Sequence, residues 1–411
     1  MHHSYPQYID FIDEDTVLTL WNKGEVAAVP TETVYGLAAD AENDRAVAHI
    51  YQLKSRPSFN PLIIHVADMA MAKHYARWNE MAEHLAAKFW PGPLTLVLPT
   101  ASPTHLSTLA LAGGDTVALR VPAHPILRRL LAKFGRGVAA PSANQSGRVS
   151  PTTAAHVRAE FGVAVPVLNG GACAVGLEST VVDLTGDIPI ILRPGAVTRE
   201  MIESSLPHPP QEGGTQKTLP PQAGGEGGGN IAAGADAAII PPLTSPPLAG
   251  GINIEALAGG INNEAQAGKD HSPRKRGEQE GGIEKTLPPL AGGINREAHE
   301  SANQRILKSP GQMAAHYAPS IPVRRNATSV GADEALLAFG AHPLPGAGRM
   351  LNLSPSGDLV EAAANLFAFL RALDDGRYRA IAVMPIPETG LGEAINDRLR
   401  RAEAGSAGAT T

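Results

Sequence analysis

Lys54-Ser55-Arg56-Pro57-Ser58-Phe59-Asn60-Pro61-Leu62-Ile63-Ile64-His65 is where a helical pattern turns into a strand pattern. Upstream, the apolar spacing over 43–54 predicts a helix. Pro57 stops it, because proline has no N–H and its ring clashes with the preceding turn. Downstream, the apolar run 62–66 predicts a strand. The chain thus leaves a helix on Lys54 and Arg56, crosses a short loop carrying Asn60, and enters a sheet on a strand that delivers His65. Two cations on such a turn suit a polyanion such as a triphosphate. The structural alternative is a helix C-terminus whose cations meet the dipole and water.

The same alternation extends in both directions. Strands are predicted over 25–29, 94–98, 117–121, 138–140, 165–168, 180–184 and 190–192, and helices over 9–21, 81–90, 125–134 and 152–161. Short strands alternating with helices argue for an α/β domain, a sheet with helices packed on it, over residues 1–205. Residues 206–308 break the pattern. They contain no Phe, Trp or Tyr but 18 Gly and 12 Pro, and Lys217 to Gly225 returns almost unchanged as Lys285 to Gly293. Copies so unevenly spaced, without apolar faces to stack, do not make a solenoid. They cannot bury enough surface to offset chain entropy, so this span reads as a disordered insertion. Residues 309–320 form a linker. Residues 321–405 read as a second, small Rossmann-like α/β domain, with strands over 335–339, 349–353 and 380–384 and helices over 360–373 and 391–402; 406–411 is a tail. The dinucleotide fingerprint is missing, since Ile395 stands where the third small residue after Gly390-Leu391-Gly392 belongs.

Bulk composition narrows the function. The 411 residues carry a net charge of −6 with a pI near 6.2, which speaks against a strongly basic nucleic-acid binder. Cys173 is the only cysteine, which excludes an internal disulfide and a cysteine zinc site. The polar, acidic first fifteen residues lack a signal peptide's apolar core, and no apolar run approaches the roughly 20 residues of a membrane span. A cytoplasmic protein is expected. The histidines show no pair at metal-ligand spacing with carboxylates nearby, so no protein-bound metal is expected. There is no Walker loop, His-Glu-x-x-His or nucleophile elbow.

Four polar stretches remain. Pro30-Thr31-Glu32-Thr33-Val34-Tyr35-Gly36 follows a strand, where α/β proteins present ligand contacts; a helix cap is the alternative. Arg120, inside an otherwise apolar strand, needs an anion or a paired carboxylate, and a structural ion pair is the more economical account. The loop 140–152, with Ser142, Asn144 and Ser150, leads into a helix N-terminus suited to an anion, where Ser150 is expected as N-cap with Pro151 at N1. Ser179 and Thr180 open one strand, and Arg193 closes another.

Taken in order, Pro30 to Gly36, Lys54-x-Arg56-Pro57, Asn60-Pro61-Leu62, His65, Trp90-Pro91-Gly92-Pro93-Leu94-Thr95, Arg120-Val121-Pro122, Ser142-Ala143-Asn144 and Glu178-Ser179-Thr180 resemble the YrdC-like domain of the L-threonylcarbamoyladenylate synthase family. Ser309-Pro310-Gly311-Gln312-Met313 with His316-Tyr317-Ala318-Pro319 resembles the linker of the two-domain form, and Gly390 to Arg398 the end of its C-terminal domain. The resemblance spans residues 10–205 and 306–403.

It implies a YrdC-like twisted mixed sheet, and synthesis of L-threonylcarbamoyl-AMP from L-threonine, bicarbonate and ATP with release of pyrophosphate. A separate tRNA threonylcarbamoyl transferase would use the product on adenosine 37 of tRNAs reading codons that begin with A. By motif position, Thr33, His65, Arg120, Ala140 (through its backbone) and Ser179 would hold L-threonine. Lys54, Arg56, Asn60, Thr116, Ser142, Ser150 and Arg193 would hold ATP, and Tyr317 would close over the nucleotide. Mg²⁺ would arrive on the ATP phosphates, with no prosthetic group, and no residue is assigned as general base. The alternative is an RNA-binding module without catalysis, against which the near-neutral charge of both ordered domains speaks. Carbamoyl transfer for metallocentre maturation is a third reading, disfavoured by the absence of zinc-finger cysteines.

Overall fold

The central stretch folds as its pattern dictates. The protein is described here by a computed structural model, for residues 11–206, 307–309 and 316–407. Asn43 caps helix α2 (Asp44–Lys54), its side chain accepting from Ala46 N, and Ser55 ends it in the left-handed conformation at φ 50°. Strand β3 (Ile63–His65) follows. The predicted insertion lies outside the described residues apart from 206, 307 and 308, as do 310–315 of the linker and the last four residues of the tail.

Seven other strands join β3 in one mixed sheet: β1 (Ala27–Val29), β2 (Gly36–Asp40), β4 (Leu94–Pro99), β5 (Thr116–Arg120), β6 (Val138–Ala139), β7 (Thr180–Asp183) and β8 (Ile190–Arg193). Their order is β1-β2-β6-β3-β5-β4-β7-β8. The pairs β3–β5 and β4–β7 are parallel and the others antiparallel. Around it lie α1 (Glu14–Asn22), α3 (Met69–Tyr75), α4 (Glu80–Phe89), α5 (Pro125–Phe134), α6 (Ala154–Phe161) and α7 (Arg199–Glu203).

The period of two along these strands separates core from site. Ile64, Leu119 and Val182 belong to the large core that also takes in α2 and α4 residues such as Ile50 and Leu85. Their neighbours Ile63, Ala118, Val97 and Val181 form a small apolar floor on the other face. His65 and Arg120, register partners across β3 and β5, continue that second face.

A second sheet, wholly parallel in the order β11-β10-β12-β9, is built from β9 (Val323–Arg324), β10 (Ala335–Ala338), β11 (Arg349–Asn352) and β12 (Ile381–Val383). Helices α8 (Leu359–Leu373) and α9 (Leu391–Ala407) accompany it. Both sheets belong to one compact unit, and Val34, Val149 and Leu177 of the first pack into the core of the second with Leu366, Phe367 and Leu370.

The structure departs from the sequence reading in several places: α3, α7 and β9 are not expected from it, and α9 runs on to Ala407, into the expected tail. Strand β2, Gly-Leu-Ala-Ala-Asp, is poor in β-formers and was not predicted; its five buried residues become a strand by pairing between β1 and β6. The expected strand 165–168 makes only isolated bridges, Ala28 to Val167 and Ile12 to Leu168. Ser150 is not a helix cap. Helix α6 begins at Ala154 behind Thr153, because Pro151 O and Thr152 O are already engaged by Tyr35 N and Cys173 N, both at 2.9 Å.

Candidate functional site

A partly open cleft with a cavity volume of about 50 Å³ lies on the second face of the large sheet. It is lined by nine of the sequence-predicted residues, Thr33, Arg56, His65, Arg120, Ala140, Ser142, Ser179, Arg193 and Tyr317, and by Thr31, Glu178 and His316, to which no role was assigned.

One side holds Arg120. Its Nη2 meets Glu32 Oε1 at 2.5 Å, Nη1 donates to Thr33 Oγ1 at 3.0 Å and Nε to Gly92 O at 3.1 Å. The guanidinium is 3% exposed, so the ion pair expected from the sequence is present and pre-orients the cation. Glu32 Oε2 has no hydrogen-bond partner among the described residues. Tyr35 turns away, its hydroxyl donating to Gly171 O and accepting from Gly170 N. Of the Pro30–Gly36 polar groups, the two threonine hydroxyls are therefore the ones left to face the cleft. Ser179 Oγ lies 2.8 Å from Thr95 Oγ1 and accepts from Arg193 Nη2 at 3.1 Å.

His65 is buried, and neither ring nitrogen is bonded among the described residues. Burial, helped by the Arg120 cation, pulls its pKa down to about 3, so the ring is neutral at physiological pH. The unfolded chain, with a histidine pKa of about 6.5, takes up the proton first as pH falls. Stability is therefore full above pH 6.5 and is lost progressively below it, towards pH 3. The expected slope is about 1.4 kcal/mol per pH unit for this group. Urea unfolding between pH 7 and 5 checks this: His65→Asn should flatten the profile by close to one proton.

Two further arginines, Arg56 and Arg193, line the cleft. Arg56 spans the central loop, Nε donating to Asn60 O at 3.0 Å and Nη2 to Pro61 O at 2.8 Å. Burial lowers its pKa to about 10. Arg193, at the end of β8, donates Nε and Nη2 to Ser179 O at 3.1 and 2.9 Å. Tyr317, in a left-handed backbone conformation (φ 62°), is 1% exposed and stacks on Phe367 at 5.5 Å. Burial raises its phenol pKa.

Lys54, Asn60, Ser150 and Thr116 are not among the lining residues. Lys54 lies beneath, its Nζ donating to Ser142 O and Asn144 O, both at 2.5 Å. Burial drives its pKa well below the ordinary lysine value. Ser150 Oγ donates to Glu178 Oε1 at 2.6 Å. Asn60 is buried in the loop, its carbonyl accepting from Tyr51 Oη. Thr116 starts β5, opposite Pro99. Glu32 and Glu178 are two acidic residues at the site that had no role at the sequence level. Both stand in blocks singled out there, but the arginines they meet are 88 and 220 positions away.

Known proteins resemble this chain in sequence and fold. The family described as Telomere recombination (Sua5, YciO, YrdC) matches residues 19–195, and the one described as Threonylcarbamoyl-AMP synthase, C-terminal domain, matches 281–404. A threonylcarbamoyl-AMP synthase of Idiomarina loihiensis is 38% identical over 146 residues, covering 35% of this chain and 77% of that protein. The chain belongs to the Sua5/YrdC threonylcarbamoyl-AMP synthase family. Another family member, from Bacillus subtilis, is 48% identical over 189 residues, 46% of this chain and 54% of its own length. The chain thus spans about half the length of the first curated relatives it matches. Among solved family structures, P. abyssi Sua5 complexed with L-threonine has a TM-score of 0.66 at 30% identity, covering 97% of this chain and 96% of that one. No helix among the described residues is long and apolar enough to cross a membrane.

Proposed function

We propose that this chain synthesises L-threonylcarbamoyl-AMP from L-threonine, bicarbonate and ATP, releasing pyrophosphate. The setting would be cytoplasmic, with the product passing to a transferase that modifies adenosine 37 of tRNA. What supports the reading is one cleft lined by Arg120, Thr33, His65 and Ser179 together with Arg56, Arg193 and Tyr317, in a family whose curated members are named for this product. Arg120, with Thr33, His65, the Ala140 backbone and Ser179, forms the side for the amino acid. Arg56, Arg193, Ser142 and Tyr317 form the side for the nucleotide. Lys54, Asn60 and Ser150 would support that side from behind, and Thr116 is the one proposed contact remote from it in the chain's hydrogen bonding.

The threonine amine attacks the carbon of bicarbonate, water leaves, and a carbamate oxygen then attacks the α-phosphorus as pyrophosphate departs. Both steps need orientation and dispersal of negative charge more than a protein nucleophile. Arg120 would hold the amino-acid carboxylate, and Arg56 and Arg193 would spread the charge of the departing pyrophosphate. Neutral His65 can accept or donate one hydrogen bond to the amine or the bicarbonate. Among the described residues no group of three or more His, Cys, Asp or Glu could hold a metal ion. Mg²⁺ carried on the ATP phosphates would ease the departure of pyrophosphate.

The test is pyrophosphate release from ATP. Release is expected only when L-threonine and bicarbonate are both present; release indifferent to threonine would overturn the reading. Salt-dependent tRNA affinity without such release would favour the RNA-binding alternative instead.

A further inference from the structure

We infer that the C-terminal domain acts on the reaction through two arginines, Arg371 and Arg398, which are positioning residues for the nucleotide side of the cleft. The inference rests on the reading of the cleft just given. Both arginines converge on one buried serine. Arg371, on α8, donates Nη2 to Val149 O and Nε to Ser150 O (3.4 Å), and is itself held by Glu160 Oε2 at 3.1 Å. Arg398, on α9, is wholly buried, and its Nε meets Glu178 Oε2 at 3.1 Å. The other oxygen of that carboxylate receives the Ser150 hydroxyl. Ser150 is thus fixed by its carbonyl from one helix of the C-terminal domain and by its side chain, through Glu178, from the other.

Arg398 reaches two further parts of the cleft. Its Nη1 donates to Pro194 O at 2.6 Å, the residue after Arg193, and its guanidinium lies 5.6 Å from the Tyr317 ring centre. The Glu178 segment has little freedom to move by itself. At Gly176, held at φ +70°, a Cβ would come within 2.5 Å of Ala364 O of α8. Leu177 is buried in the C-terminal domain's core.

Domain glue alone would not need this arrangement. A wholly buried guanidinium costs several kcal/mol of desolvation unless good geometry offsets it, and apolar residues would join two domains at least as well. Among the described residues, Arg398 Nη2 has no hydrogen-bond partner. What the charges add is orientation: they aim Glu178, Ser150 and the Arg193–Pro194 turn into one arrangement.

The experiment uses the full chain. Dissociation constants for ATP and for L-threonine are measured by calorimetry, and KM for each from pyrophosphate release, in wild type, Arg371→Ala, Arg371→Lys and Arg398→Lys. Losing the fork at either position should weaken ATP about tenfold, the effect of one charge-assisted bond, and leave threonine within about twofold. Arg371→Lys, which keeps the charge and one donor, should recover part of the loss. Arg398→Lys, used in place of alanine because this position is wholly buried, keeps a cation beside Glu178 while losing the fork. Equal weakening of both substrates, or an unchanged ATP constant in folded variants, would overturn the inference. A wild-type chain that itself bound no ATP would overturn the reading of the cleft and this inference with it.

Discussion

Arg120→Ala should abolish threonine-dependent pyrophosphate release and destabilise the protein at the same time. The guanidinium offsets the charge of Glu32, which is 8% exposed and has no other cationic partner among the described ion pairs. Removing it strands a buried carboxylate, a loss of about 3–5 kcal/mol out of a total stability of about 5–15 kcal/mol. The amino-acid carboxylate loses its cation as well, so turnover should fall about a hundredfold or more. The two effects separate in Arg120→Met combined with Glu32→Gln. That pair removes both charges, so it should regain most of the urea midpoint while remaining inactive. A stable double variant with wild-type dependence on threonine would show that Arg120 is structural only.

Arg56→Ala should act on the other substrate. Arg56 combines a cation in the cleft with two donated bonds that shape the 60–61 turn. Its loss should raise KM for ATP by about ten- to a hundredfold, the worth of one or two charge-assisted bonds, with KM for threonine within about threefold. Lysine should restore little, because a single ammonium cannot hold both carbonyls and face a phosphate. The pair of variants thus tests the division of the cleft: if both alter ATP affinity alone, the two sides are wrongly assigned.

The division itself was partly visible in the chain. Lys54 to His65 is local in its logic: a helix stopped before a proline, a turn and an apolar strand. Period-two alternation then puts Ile63 and His65 opposite Ile64. Strand β2 escaped because Ala and Gly carry no strand signal, and only the flanking strands make Leu37 to Asp40 extended. Ser150 was misjudged for a related reason. A serine before a proline has the form of a cap, but Glu178, 28 residues on, takes the hydroxyl.

By itself, then, the sequence determined the elements, the two α/β folding patterns and most residues of the cleft, because helix stops, strand alternation and motif order are properties of neighbours in the chain. The tertiary structure alone decided which buried charges face which. Arg120 finds Glu32 across 88 positions, and Arg398 finds Glu178 across 220. A buried charge must be matched by whatever the fold brings within about 3 Å, whatever its distance along the chain. For that reason Lys54, legible in the sequence as a cation for a triphosphate, also donates to Ser142 O and Asn144 O, 88 and 90 positions away.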